Sequence, residues 1–175
     1  GIECDLTFTP RTACVEEGHQ VLRNERHVVM EATRLDQFGF WEGVIRYQGT
    51  ELTVDGRSTL GLKDRSWGLR PVGDAYTGGA PLDSFQEFHF CWLPIHWDDH
   101  CSLAGWFENA DGNQWHTDQA FLPHYPTLAN IPGTIDPQEK IWNGKVGHQI
   151  AFSVGTRRAD SAVITMSDGA GETLE

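Results

Sequence analysis

Phe85-Gln86-Glu87-Phe88-His89-Phe90-Cys91-Trp92-Leu93 carries the decisive pattern of this sequence. Side chains alternate between the two faces of a strand, so Phe88, Phe90 and Trp92 share one face while His89, Cys91 and Leu93 share the other. Neither face suits water. A strand apolar on both sides is covered twice, outside by a helix, loop or second domain and inside by core or ligand. The flanking chain repeats the β signal. Alternation, or β-branched and aromatic runs, mark residues 2–9, 27–36, 40–48, 51–54, 57–67, 101–109, 114–122, 145–154 and 161–166. No window holds apolar residues at i, i+3, i+4 and i+7 over ten positions. Gln48-Gly49, Asp55-Gly56 and Asp111-Gly112 offer residues that accept positive φ where hairpins need them, and Asp98-Asp99 reads as a further hairpin tip.

This spacing predicts an all-β chain with little helix: an antiparallel barrel or a strongly curved meander sheet, one face of which can dock to a missing domain. Residues 1–167 are expected to form one barrel-like domain, and 168–175 a flexible tail. Two glycine- and proline-rich stretches, 71–83 and 123–142, are long enough to be lids or binding loops.

The 175 residues suffice for one sizeable core. With 13 basic and 25 acidic residues the net charge is −12, which argues against nucleic acid or an anionic membrane as partner. No stretch approaches the length needed to span a bilayer. Cys4, Cys14, Cys91 and Cys101 show no C-x-x-C spacing and read as four free thiols. With no secretory leader visible, a cytoplasmic location is expected.

The densest chemical signal is Gly61-Leu-Lys-Asp-Arg-Ser-Trp-Gly-Leu-Arg70. Asp64 and Ser66 fall on one strand face, Arg65 and Trp67 on the other. Charges this close to aromatics are costly to bury unless they pair. One reading is an Asp64 pair with Arg65 or Arg70 beneath a buried Trp67; the other is a tuned Asp64 facing a cavity. His89 is either a satisfied core histidine or a cavity-lining acid–base group. His96, Asp98 and His100 are two apart, and His116 with Asp118 repeats the spacing, but a hairpin tip at 96–100 scatters such a set, so no metal site is assigned. Seven tryptophans either fill the core or line an apolar pocket, where Trp92, Trp106 and Trp115 join Phe88 and Phe90 as candidate ligand contacts.

The run Lys63-Asp64-Arg65-Ser66-Trp67-Gly68-Leu69-Arg70-Pro71 resembles the D-[HR]-S-W-G-x-R signature of bacterial proteins related to hydroxyneurosporene synthase (carotenoid 1,2-hydratase) and the AttH-like group. Phe88-His89-Phe90-Cys91-Trp92, the turn at residues 96–100 and Glu108-Asn-Ala-Asp-Gly112 follow in the order found there, so the likeness covers roughly residues 1–125. It implies a pair of lipocalin-like (calycin-like) domains, of which this chain is similar to the C-terminal one. It also implies an apolar, terpenoid- or lipid-like ligand and no cofactor. Three functions are open: a binding domain contacting its ligand through Arg65, Ser66, Trp67 and Arg70 with the aromatics above; a hydratase or isomerase with Asp64 or His89 as acid; and a structural domain completing a sister domain or a homodimer.

Overall fold

The computed structural model describes residues 1–24, 26–69, 88–133, 136–141, 144–167 and 173–174. The loop expected at 71–83, the start of the strand expected at 85–93, Arg70 and Trp142 lie outside the described residues, and of Phe88 only the backbone is described. The fold is all-β and antiparallel. A single short 3-10 turn, Leu128–Asn130, interrupts the strands among the described residues, and no helix there is long and apolar enough to cross a membrane.

The first sheet is organised by β4 (His27–Tyr47), which hydrogen-bonds to β1 (Ile2–Pro10), β2 (Val15–Glu16), β3 (Gln20–Asn24), β5 (Thr50–Val54) and β6 (Leu60–Leu69). The sequence predicts two strands here, at 27–36 and 40–48. They are one, because Gly39 stays in the ladder with Pro10 on one side and Gly61 on the other. The second sheet is ordered β10 (Lys140–Ile141), β9 (Gln114–Pro123), β8 (His100–Asn109), β7 (Phe88–His96). The third holds β11 (Gly147–Phe152), β12 (Ala159–Ser167) and β13 (Thr173–Leu174). Within the tail expected to fray, Thr173 and Leu174 thus pair with Ser167 and Met166.

None of these sheets closes on itself among the described residues, so the barrel alternative gives way to stacked layers. Val15, Phe38 and Leu62 of the first sheet meet Trp92, Cys101, Leu103, Ala120 and Leu122 of the second. On the other face of the second sheet, Leu93, Ala104 and Phe121 meet Ile164 and Met166 of the third. β7 and β8 thus lie in a middle layer, and from Leu93 on the outer face of that layer is covered by β12.

Two turns behave as their residues dictate. Gln48 and Gly49 both have positive φ, at 49° and 78°, and join β4 to β5 as a tight hairpin. Trp97 N–H donates to His100 O at 2.9 Å across the Asp98-Asp99 tip. Asp55-Gly56, by contrast, is not a hairpin. β5 and β6 both run antiparallel to β4 along its one edge, so the chain keeps its direction through residues 55–59. The Asp55 carboxylate accepts from Arg57 N–H and its carbonyl from Thr59 N–H, gathering the extra residues into a loop.

Cys101 anchors the far end of the first interface. Its buried Sγ lies 3.5 Å from His96 Nδ1 and 3.3 Å from His124 Nε2. His96 Nε2 donates to Gly61 O, so its Nδ1 is free to accept the thiol proton. Burial pushes the Cys101 thiol up to about 12, and burial with the nearby Arg11 guanidinium pushes His124 down to about 4, which keeps the trio neutral. All four cysteines are free.

Gly43 lies within β4, paired with Leu6 of β1 and Val54 of β5. Its φ is +135°, and a Cβ there would strike the Asp5 carbonyl oxygen. Gly43→Ala is therefore expected to destabilise the protein by about 2 kcal/mol or more, read as a lower denaturant midpoint with unchanged slope. An unchanged midpoint would show that this backbone conformation does not need glycine.

Candidate functional site

The interface between the first two sheets changes character along its length. At the Cys101–Leu122 end it is apolar; at the other it is charged. The ladder decides which groups enter. Val15 pairs with Asp36 and Asp36 with Asp64, so these side chains point to one face, and Phe38 and Leu62 beside them are in the core. Arg34 lies two residues along that same face. Glu17 N–H donates to Arg34 O at 3.0 Å, which aims the Glu17 side chain inward past the end of β2. From the second sheet Trp92, Gly105 and Asp118 lie in register on three adjacent strands, with His116 next to Asp118 on the inward face of β9.

Glu17 is 4% exposed and is the centre of this cluster. Trp92 Nε1 donates to its Oε1 at 2.8 Å, and Gln20 Nε2 and Arg34 NH1 reach its Oε2 at 3.2 and 3.4 Å. Arg34 Nε faces Asp64 Oδ1 at 3.4 Å. His116 Nε2 lies 2.7 Å from Asp118 Oδ2, and Gly18 N–H donates to Asp118 Oδ1. A cavity of about 300 Å³ opens here, lined by Glu17, Arg34, Asp64 and Asp118 with the aromatic walls Phe90, Trp92 and Phe107. Gly105, without a side chain, leaves part of that space free.

Asp36 sits behind Glu17, 0% exposed, and neither of its oxygens meets a donor from the protein. Burial first, then a hydrogen bond and charge repulsion from Glu17, with Asp64 adding and Arg34 opposing, push its carboxyl up to about 8. A proton on Asp36, given to Glu17, satisfies both carboxyls.

The sequence-predicted residues divide between places. Asp64, Phe90 and Trp92 line this cavity. Asp64 pairs with Arg34 of the neighbouring strand, not with Arg65, because Arg65 projects from the opposite face of β6. Trp67 is 49% exposed and not buried, being on that same outer face. The signature's glycine has its own backbone reason: Gly68 has φ +131°, and a Cβ would strike the Glu31 carbonyl. Arg65, Ser66 and Trp67 line neither this cavity nor the outer groove between β7, β8 and β11. His89 and Trp106 face that separate groove, of about 660 Å³, with Glu108, His148, Phe152 and Arg157. There His148 Nε2 meets Glu108 Oε2 at 2.9 Å and stacks on Trp106 at 4.7 Å. Asp64 and His89 therefore do not share a cavity. Phe90 and Cys91 line both. Trp115 packs on Phe107 at 5.0 Å, one layer behind the cavity wall.

Glu17, Arg34, Asp36 and Asp118 are the functional candidates that sequence reasoning missed. The His116-x-Asp118 spacing was a partial signal; Glu17 lies in a polar stretch with no period to mark it.

The chain belongs to DUF8625, a family of unknown function. The family's model matches residues 1–175. No curated protein and no solved structure matches the chain. What this DUF8625 site does thus has to come from its own chemistry.

Two expectations follow. Glu17→Ala leaves the Trp92 and Gln20 donors and the Arg34 guanidinium short of a buried partner and should cost about 3 kcal/mol, whereas Asp64→Ala, at a half-exposed pair, should cost about 1 kcal/mol or less. Equal losses in chemical denaturation would contradict the centrality of Glu17. For Asp36 the folded value, about 8, lies above the ordinary 3.8. Its protonated form stabilises the fold at acid pH, and that contribution is lost as pH rises from about 4 through 8. Asp36→Asn should therefore gain melting temperature relative to the wild type between pH 5 and pH 8. A difference that stays constant over that range would refute the shift.

Proposed function

We propose that this domain binds an apolar, terpenoid- or lipid-like small molecule, one end of which enters the cavity beside Glu17, Arg34 and Asp64. The observation that carries this reading is the position of the cavity, at the point where an apolar interlayer core turns charged. Ligand sites combine apolar walls with a few converging polar groups, and here Phe90, Trp92 and Phe107 meet three carboxylates and one guanidinium. At about 300 Å³ the space is at the small end for such sites. A longer ligand would pass Phe90, which is 63% exposed, and continue round β7 into the outer groove, whose wall Phe90 and Cys91 share. The resemblance of residues 63–71 to proteins related to carotenoid 1,2-hydratase supports the terpenoid class and makes hydration of a C=C bond the reaction to look for.

The seven tryptophans provide the assay. A panel of linear terpenoid and fatty-acid probes is expected to change the emission saturably, with micromolar dissociation constants. Phe90→Ala should weaken binding about tenfold, since part of an aromatic contact is worth roughly 1–2 kcal/mol. Trp67→Phe, away from both cavities, should leave it unchanged. Saturable binding with no turnover identifies a carrier, and water addition to the probe identifies a hydratase. No saturable binding by any probe would leave the domain with a structural role only.

A further inference from the structure

The inner cavity has a feature that an apolar ligand does not explain. Glu17, His116 and Asp118 offer one ligand atom each, all within 4.8 Å of one another, and all three side chains are buried. They come from facing layers: Glu17 from the first sheet, His116 and Asp118 from the second. We propose that these three residues hold a divalent transition-metal ion, which pins the two sheets together and borders the cavity.

Charge is the first argument. Glu17 and Asp118 are buried in one place, with Asp64 at its edge, and Arg34 is the guanidinium set among them. Buried carboxylates need compensation from a cation or from donors. A dication held by Glu17 and Asp118 supplies the positive charge that the single Arg34 guanidinium does not. Capacity is the second argument. A carboxylate has about four acceptor directions. Asp118 uses two, for Gly18 and His116, and keeps room for a metal bond. Glu17 holds Trp92 at 2.8 Å but Gln20 and Arg34 only at 3.2 and 3.4 Å, and these longer contacts are the ones an ion would displace.

The donor set selects the ion. One imidazole and two carboxylates, with no thiolate, suit Zn²⁺ or Mn²⁺ better than Ca²⁺ or Cu⁺. Three protein ligands leave a coordination position open, as in sites that receive a water or a substrate atom. Glu17 and Asp118 both line the cavity, so an ion they hold borders it. The assignment does not depend on which organic ligand the cavity takes.

The test uses the whole chain, stripped with a chelator and titrated calorimetrically with ZnCl₂ and with MnCl₂. One ion of at least one of these metals per chain is expected, with a melting temperature raised by roughly 5–10 °C at hundredfold excess over the dissociation constant. Glu17→Gln and His116→Gln should each weaken binding at least tenfold, whereas Asp64→Asn should change it less than threefold. Circular dichroism of the metal-free variants checks that they fold. Should either fail to fold, the Co²⁺-loaded wild type provides the second reading, since nitrogen and oxygen ligation in a closed site gives visible bands that hydrated Co²⁺ lacks in strength. Absence of binding at millimolar Zn²⁺ and Mn²⁺ overturns the proposal. So does binding that survives both substitutions, which would place the ion on surface carboxylates.

Discussion

Five strands hydrogen-bond to β4, and its register decides what the interior contains. Because the pairing period is two, a slip of one residue would turn Asp36, Phe38 and Arg34 outward and bring Leu35 and Gln37 in. The placement of Val15 against Asp36 and of Asp36 against Asp64 is what brings carboxylates from three separate segments to one spot. Apolar burial at Phe38 and Leu62, a few residues away, holds that register in place. The charged cluster is therefore held by the core beside it and contributes little to holding the sheet itself.

Such a cluster is an unusual thing to keep. Apolar side chains of similar volume would seal the two sheets at lower desolvation cost. Glu17 instead takes donors from the indole of Trp92, the amide of Gln20 and the guanidinium of Arg34. Groups so committed are rigid, and rigid polar groups beside an open space are suited to orient a ligand or an ion. The opposite end of the same interface, at Cys101, shows the contrasting solution, in which thiol and imidazoles are all kept neutral.

The strand content and the apolar residues on both faces of β7 were legible because side-chain alternation is a local property. Both faces of Phe88–Leu93 are apolar whatever covers them, and the sequence could not tell a barrel wall from a middle layer. That distinction rests on β12, whose Ile164 and Met166 look like any other alternating strand. Asp55-Gly56 misled for the opposite reason: its chemistry is that of a turn, but ladder pairing on both sides of it with β4 keeps the chain running straight. Within the site, Asp64, Phe90 and Trp92 could be picked out as chemistry-bearing residues near a motif. Glu17 and Arg34 could not, because they meet only through pairing of β2 with β4, and the neighbouring Arg65 was the natural but wrong partner for Asp64, which β6 brings to Arg34. Asp118 had only its spacing from His116 to mark it.

Each sheet is drawn from one continuous stretch of chain: residues 2–69, then 88–141, then 147–174. As the chain is synthesised, the first sheet can complete its ladder while Glu17, Arg34 and Asp36 still face water. Their dehydration is thereby deferred to a later event, the docking of β7, β8 and β9, when apolar burial around Leu103 and Leu122 becomes available to offset it. The order of the sheets along the chain thus separates the entropic cost of pairing strands from the electrostatic cost of closing the interior.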